Sequence, residues 1–221
     1  MTITAPVRAT GPTPATTPGI STPALPAGAN AGMPAGRPDG TTLLGMKLVL
    51  AADTMVLVAM LVVYFTIKGG AAAWPPKGVK VGTYLPTIIT ITAVMSAVSA
   101  SWMLFCVRRN DQRNAFAAAV LTVLLGTAVA NAQWYSITNA KFGANSHAYG
   151  SLYKALLGFH LAQVLAGIVM IVVVAAQALA GHYGSDDHEP VSAVVWFWQF
   201  TNVAWFVIVM ALFVLSPHAT K

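Results

Sequence analysis

The sequence predicts an all-α fold: an integral membrane bundle of five transmembrane helices behind a disordered N-terminal tail. Three observations predict it. First, of 221 residues 57% are hydrophobic and 8% charged, whereas soluble domains carry about 25% charged residues; the mean hydropathy is +0.69. Second, five apolar runs, at about residues 43–68, 83–107, 114–139, 151–180 and 191–215, each supply the roughly 20 residues that cross a hydrocarbon layer about 30 Å thick. Third, the short alternating segments of a membrane β-barrel are missing from the pattern.

Residues 1–40 form the expected tail. They are rich in Ala, Pro, Thr and Gly and bury too little apolar surface to offset the entropy of ordering. They lack the apolar stretch of a secretory signal. Residues 41–221 form the membrane domain, and no internal repeat divides it.

The first span carries Asp53 with Thr54. A carboxylate at that depth costs a few kcal/mol unless partnered and is a functional-site hypothesis by default. No basic residue lies inside a span to pair with it, so Asp53 is expected to be neutral, or hydrogen-bonded to His160 or to a Gln or Asn side chain. His160 is the expected partner. Trp74-Pro75-Pro76 follows the span; the proline pair disfavours helix there and stiffens the connection. The second span carries Ser96, Ser99 and Ser101, and Cys106 near its end is read as a small buried apolar residue. The segment 108–113, with three arginines, leads to the third span, where helical spacing puts Gly126, Ala130 and Gln133 on one face. In the fourth span His160, Gln163 and Gly167 share a face, and in the fifth Gln199 and Asn202 lie three apart. Each span thus has a stripe of small or polar residues. In lipid such stripes mostly join helices, because small residues allow close approach and polar ones hydrogen-bond across. Trp74, Trp134, Trp198 and Trp205 are expected as anchors at the membrane interface.

Composition also excludes functions. The net charge of +6 is scattered over tail and loops, with no basic stripe for nucleic acid. One histidine lies inside a span and one cysteine is present in all, so the ligands for haem or copper are absent and no cofactor is expected on this chain. His182, Asp186, Asp187, His188 and Glu189 read as a solvated acidic loop rather than a metal site. No catalytic constellation is expected. A small-solute or proton transporter is an alternative, although five spans do not divide into equal repeats.

Read in series, KLVLAADTMVLVAMLVVYF, WPPKG, QWYSITNAKF, YGSLYKALLGFHLAQVLAGIV and VVWFWQFTNVAWFVIVMALFVL resemble subunit III of haem–copper (cytochrome c) oxidases, over about residues 43–215 and in its five-helix bacterial form. The resemblance implies a non-catalytic subunit of a respiratory complex. That subunit packs on subunit I, which with its neighbours carries the haem and copper. It binds structural phospholipid and supports proton uptake. Subunit II, small accessory subunits or a larger supercomplex are further implied partners. Ala52-Asp53 stands where the family has a Ser-Glu pair. Gln133, Gln163, Gln199 and Asn202 stand where it has Glu, His, His and Asp. Hydrogen bonding can persist through such changes while charge is lost. A subunit-III-like accessory protein of nitric oxide reductases is a further alternative. Positive charges divide six against six between the two sides. The dense arginine loop and the family topology put the N-terminus in the cytoplasm and the C-terminus outside, in a bacterial plasma membrane.

Overall fold

The computed structural model describes residues 40–76, 79, 82–140, 142–143, 145–180 and 188–215. The expected tail disorder, the loop residues His182, Asp186 and Asp187, and the terminal His218 lie outside the described residues. All regular structure among the described residues is helical: α1 (Thr41–Gly70), α2 (Tyr84–Arg108), α3 (Gln112–Thr138), α4 (Ala148–Leu179) and α5 (Glu189–Val209). Each is long and apolar enough to cross a membrane. At Met210–Val214 the end of α5 widens into a π-helical turn, in which Leu215 N–H bonds to Met210 carbonyl at 2.8 Å.

Helices start where a side chain can satisfy their first N–H groups. Asp111 accepts from Asn114 N–H at 3.2 Å and opens α3; His147 Nδ1 accepts from Gly150 N–H at 2.8 Å and opens α4. Pro190 sits in the first turn of α5, where its missing N–H costs nothing. The cap of α1 comes from across the bundle. Both carboxylate oxygens of Glu189, at the head of α5, accept from α1, one from Gly40 N–H and one from Leu43 N–H, each at 2.9 Å. Gly40 has φ 87°, a left-handed conformation that favours glycine.

α2, α3, α4 and α5 close a ring, each packed on the next and α5 back on α2. The core of that ring is fine-grained at the α2–α3 seam, where Ala93, Ala100, Ala115, Ala118 and Ala119 are buried. There the Thr122 hydroxyl donates to Ser99 Oγ at 3.0 Å and Ser99 donates to Ala118 carbonyl at 3.0 Å. Small residues bring the backbones close enough for these short hydroxyls to reach. α1 leans on the outside of the ring against α5 and α4. It buries only Leu57 and Tyr64 fully, and a second apolar cluster joins them to Tyr149, Tyr153, Leu156 and Ile208.

So thinly buried a helix is held by polar ties at both ends. Glu189 holds the start. Near the other end Lys68 Nζ donates to Leu215 carbonyl, and the Trp74 indole N–H donates to Tyr64 hydroxyl at 2.9 Å. Trp74 then stacks edge-on against Tyr149, with centroids 5.2 Å apart.

Candidate functional site

The polar residues singled out in the sequence fall into three groups inside the bundle. The first joins α1 to α4. Asp53 is half-buried about 18 Å along α1, at 1.5 Å per residue. Its Oδ2 accepts from Gln163 Nε2 at 2.7 Å. Gln163 is buried, and its Oε1 has no hydrogen-bond partner. The partner of Asp53 is therefore an amide and not His160.

The second group joins α3, α4 and α5. His160 is 1% exposed and Gln133 is sealed. His160 Nδ1 lies 2.9 Å from Gln133 Oε1, and Nε2 lies 3.2 Å from Thr201 carbonyl. Gln133 Nε2 donates to Leu157 carbonyl at 3.1 Å, which turns its Oε1 toward the ring. Both groups beside the imidazole are acceptors. A neutral ring has one N–H and bonds one of them; an imidazolium bonds both. The ring also lies 4.9 Å from that of Trp205. His160 is thus drawn away from Asp53 by better-placed acceptors on two other helices.

The third group joins α5 to α2. Gln199 Nε2 donates to Ala97 carbonyl and to Ser101 hydroxyl, each at 2.8 Å, and Asn202 Nδ2 donates to Trp198 carbonyl at 2.7 Å. Both amides border a groove of about 350 Å³ on the outer face of the bundle.

Two tryptophans lie elsewhere than expected. Trp198 and Trp205 are not interface anchors: they are 2% and 1% exposed, in the centre of the bundle. Trp198 donates to Ser96 hydroxyl at 3.2 Å and Trp205 to Thr90 hydroxyl at 3.0 Å, so each indole N–H is satisfied within the apolar interior. The Trp198 ring occupies the space left by two glycines. A Cβ on Gly126 would come within 2.6 Å of its Cη2, and one on Gly167 within 2.6 Å of its Cε3. Trp134 is 59% exposed in the last turns of α3, and Trp74 is half-buried beyond α1, at the same end of the bundle. Trp196 and Glu189 were not picked out as contact residues. Lys47 Nζ sits 5.7 Å from the Trp196 ring centre, near the opposite end. For Glu189 the available signal was its place at the head of a helix beside Pro190.

Among the described residues no three His, Cys, Asp or Glu side chains converge as a metal site. What the site offers chemically is one carboxylate, one imidazole and a set of amides, all engaged with backbone or with each other.

The family model described as Cytochrome c oxidase subunit III matches residues 38–216. Curated proteins named cytochrome c oxidase subunit 3 are similar along most of the chain. The one from Thermostichus vulcanus is 23% identical over 175 residues, covering 79% of this chain and 87% of the relative. That from Synechocystis sp. is 25% identical over 182 residues, covering 81% and 78%. The Strongylocentrotus purpuratus protein is 30% identical over 138 residues, covering 62% and 53%.

Proposed function

The chain belongs to the cytochrome c oxidase subunit III family, and from this premise we propose that it serves a bacterial respiratory haem–copper oxidase by buttressing the catalytic subunit I. As a family member it is a non-catalytic, multi-pass membrane subunit of an oxidoreductase complex in the respiratory chain. Its finer role, on our reading, has two parts. The bundle supplies a rigid helical surface for its neighbours and holds phospholipid against its apolar faces, with the N-terminus cytoplasmic and the C-terminus outside. Asp53 supports proton uptake by the complex as the acidic group left among amides. Haem and copper belong to the partner subunits.

The observation that carries this reading is the family match across residues 38–216, which takes in all five helices. Local chemistry supports it. Gln133, Gln163, Gln199 and Asn202, at positions where the resemblance puts titrating side chains, are amides hydrogen-bonded inside the bundle, which suits a scaffold. Asp53 keeps an acidic group half-open to the surface in the middle of a span.

Purification in mild detergent tests the assignment. The chain is expected to co-elute with a haem-containing subunit and with phospholipid. Co-elution with a nitric oxide reductase, or solute transport by the lone chain in liposomes, would overturn it. The proton part has its own test. Asp53→Asn keeps the side chain's shape, and proton uptake during turnover in vesicles should fall while assembly persists. Unchanged uptake would remove Asp53 from that role and leave the scaffold reading intact.

A further inference from the structure

The groove between α2 and α5 presents hydrogen-bond acceptors at a depth where lipid has no donors. Its walls include Val98 and Ser101 from α2 and Gln199, Asn202, Val203 and Phe206 from α5. Gln199 lies ten residues after Glu189 in α5, about 15 Å along the axis, near the middle of a hydrocarbon layer about 30 Å thick.

The orientation of both amides is set by chemistry. The end of Gln199 that meets Ala97 carbonyl must be its NH₂, since a carbonyl only accepts. Its second N–H goes to Ser101 hydroxyl, whose own proton goes to Ala97 carbonyl at 3.1 Å. The end of Asn202 that meets Trp198 carbonyl is likewise its NH₂. Gln199 Oε1 and Asn202 Oδ1 therefore remain as acceptors. Neither accepts a hydrogen bond from this chain among the described residues, and neither belongs to the sealed unpaired atoms. Both open on the groove.

Acyl chains carry no donors, and headgroups lie about 15 Å away at either surface. An unpaired amide oxygen facing hydrocarbon is costly, and polar groups at this depth turn to protein partners. We propose that the α2–α5 groove receives a transmembrane helix of a partner subunit, which sets a donor side chain against Gln199 Oε1 and Asn202 Oδ1. This rests on the oxidase reading above and names the surface through which the chain docks. Donors of the right reach are Ser, Thr, Trp, His, Asn or Gln. The flanking Val98, Val203 and Phe206 are exposed by 64%, 59% and 43% and supply the apolar contact around them.

A photoreactive benzoylphenylalanine at Val203 in the intact complex, in native membranes, tests this. The probe should form an adduct with a membrane subunit of the same co-purifying complex, identified by mass spectrometry. The same probe at Val172, on the exposed face of α4, should not. Gln199→Leu with Asn202→Leu should lower the Val203 adduct about tenfold, the size of two hydrogen bonds between membrane helices, with the chain's membrane level unchanged. An adduct with lipid alone, an adduct with a second copy of this chain, or an undiminished yield in the double variant would each overturn the proposal. Haem present with such a result counts against the groove alone. A wild-type preparation without haem counts against the oxidase reading and this proposal together.

Discussion

Asp53 on α1 accepts a 2.7 Å hydrogen bond from Gln163 on α4, and the other end of that same amide has no partner. The pair is unbalanced by one acceptor, and its carboxylate sits on the least buried helix of the bundle. Removing either member alone should destabilise more than removing both. Asp53→Leu leaves the buried Gln163 amide wholly unpaired; Gln163→Leu leaves the carboxylate unpaired. Each should cost about 1–3 kcal/mol, and the double leucine variant less than the sum. Thermal unfolding of the purified complex across the four proteins measures the coupling, and simple additivity would show that the bond contributes nothing.

The His160 node predicts a different pattern. His160→Leu removes the one imidazole N–H that serves Gln133 Oε1 or Thr201 carbonyl in the dry interior. A loss of about 2 kcal/mol is expected. Gln133→Leu should cost a similar amount, because it also releases Leu157 carbonyl. Unfolding midpoints in detergent, compared with those of His160→Gln, which keeps one donor, would reveal the effect; equal stability of leucine and glutamine variants would contradict it.

Gly126 and Gly167 should tolerate no methyl group while Trp198 is in place. Gly126→Ala and Gly167→Ala each drive a Cβ to 2.6 Å from the ring. A rigid indole fixed by its bond to Ser96 cannot give way easily, so about 1–3 kcal/mol of overpacking strain is expected. With Trp198→Leu as background, which is itself destabilising, adding Gly126→Ala should cost little or even help by filling space. The same alanine penalty with and without the ring would rule out the clash.

Glu189→Ala removes the cap that α5 lends to α1. About 1 kcal/mol should be lost locally, and hydrogen exchange at Gly40 and Leu43 should speed up. Exchange in the middle of α1 should change little. Glu189→Gln, with one acceptor oxygen left, should fall between the two.

The five helices were readable because each apolar run exceeds the width of a bilayer, and the buried stripes were readable because helical period puts Gly126, Ala130 and Gln133, or His160, Gln163 and Gly167, on one face. All six are buried in the structure. Period says which face turns inward but not which neighbour it meets. Asp53 and Gln163 are 110 residues apart, and His160 lies one turn from Gln163 on the same helix. The rotation of α1 by less than a turn decides between them, and no local pattern records it. Residue type alone points Trp198 and Trp205 to the interface. Their depth argued otherwise, since Trp198 lies nine residues into α5, about 14 Å from its start. In sequence Glu189 looks like one more charge in a polar loop, because its partners are backbone N–H groups that any sequence would supply.

The ties that hold α1 also set a timetable. A ribosome delivers α1 first and α5 last. At roughly 5–20 residues per second, Asp53 enters the bilayer roughly 5 to 20 seconds before Gln163 exists, and Gly40 and Leu43 wait longer still for Glu189. Through that interval the first helix is a lone segment with an unanswered carboxylate and a frayed start, and insertion factors or proteases can act on it. A defect at Gln163 or Glu189 would then show in the cell as loss of newly made chain, well before it showed as a weaker finished complex.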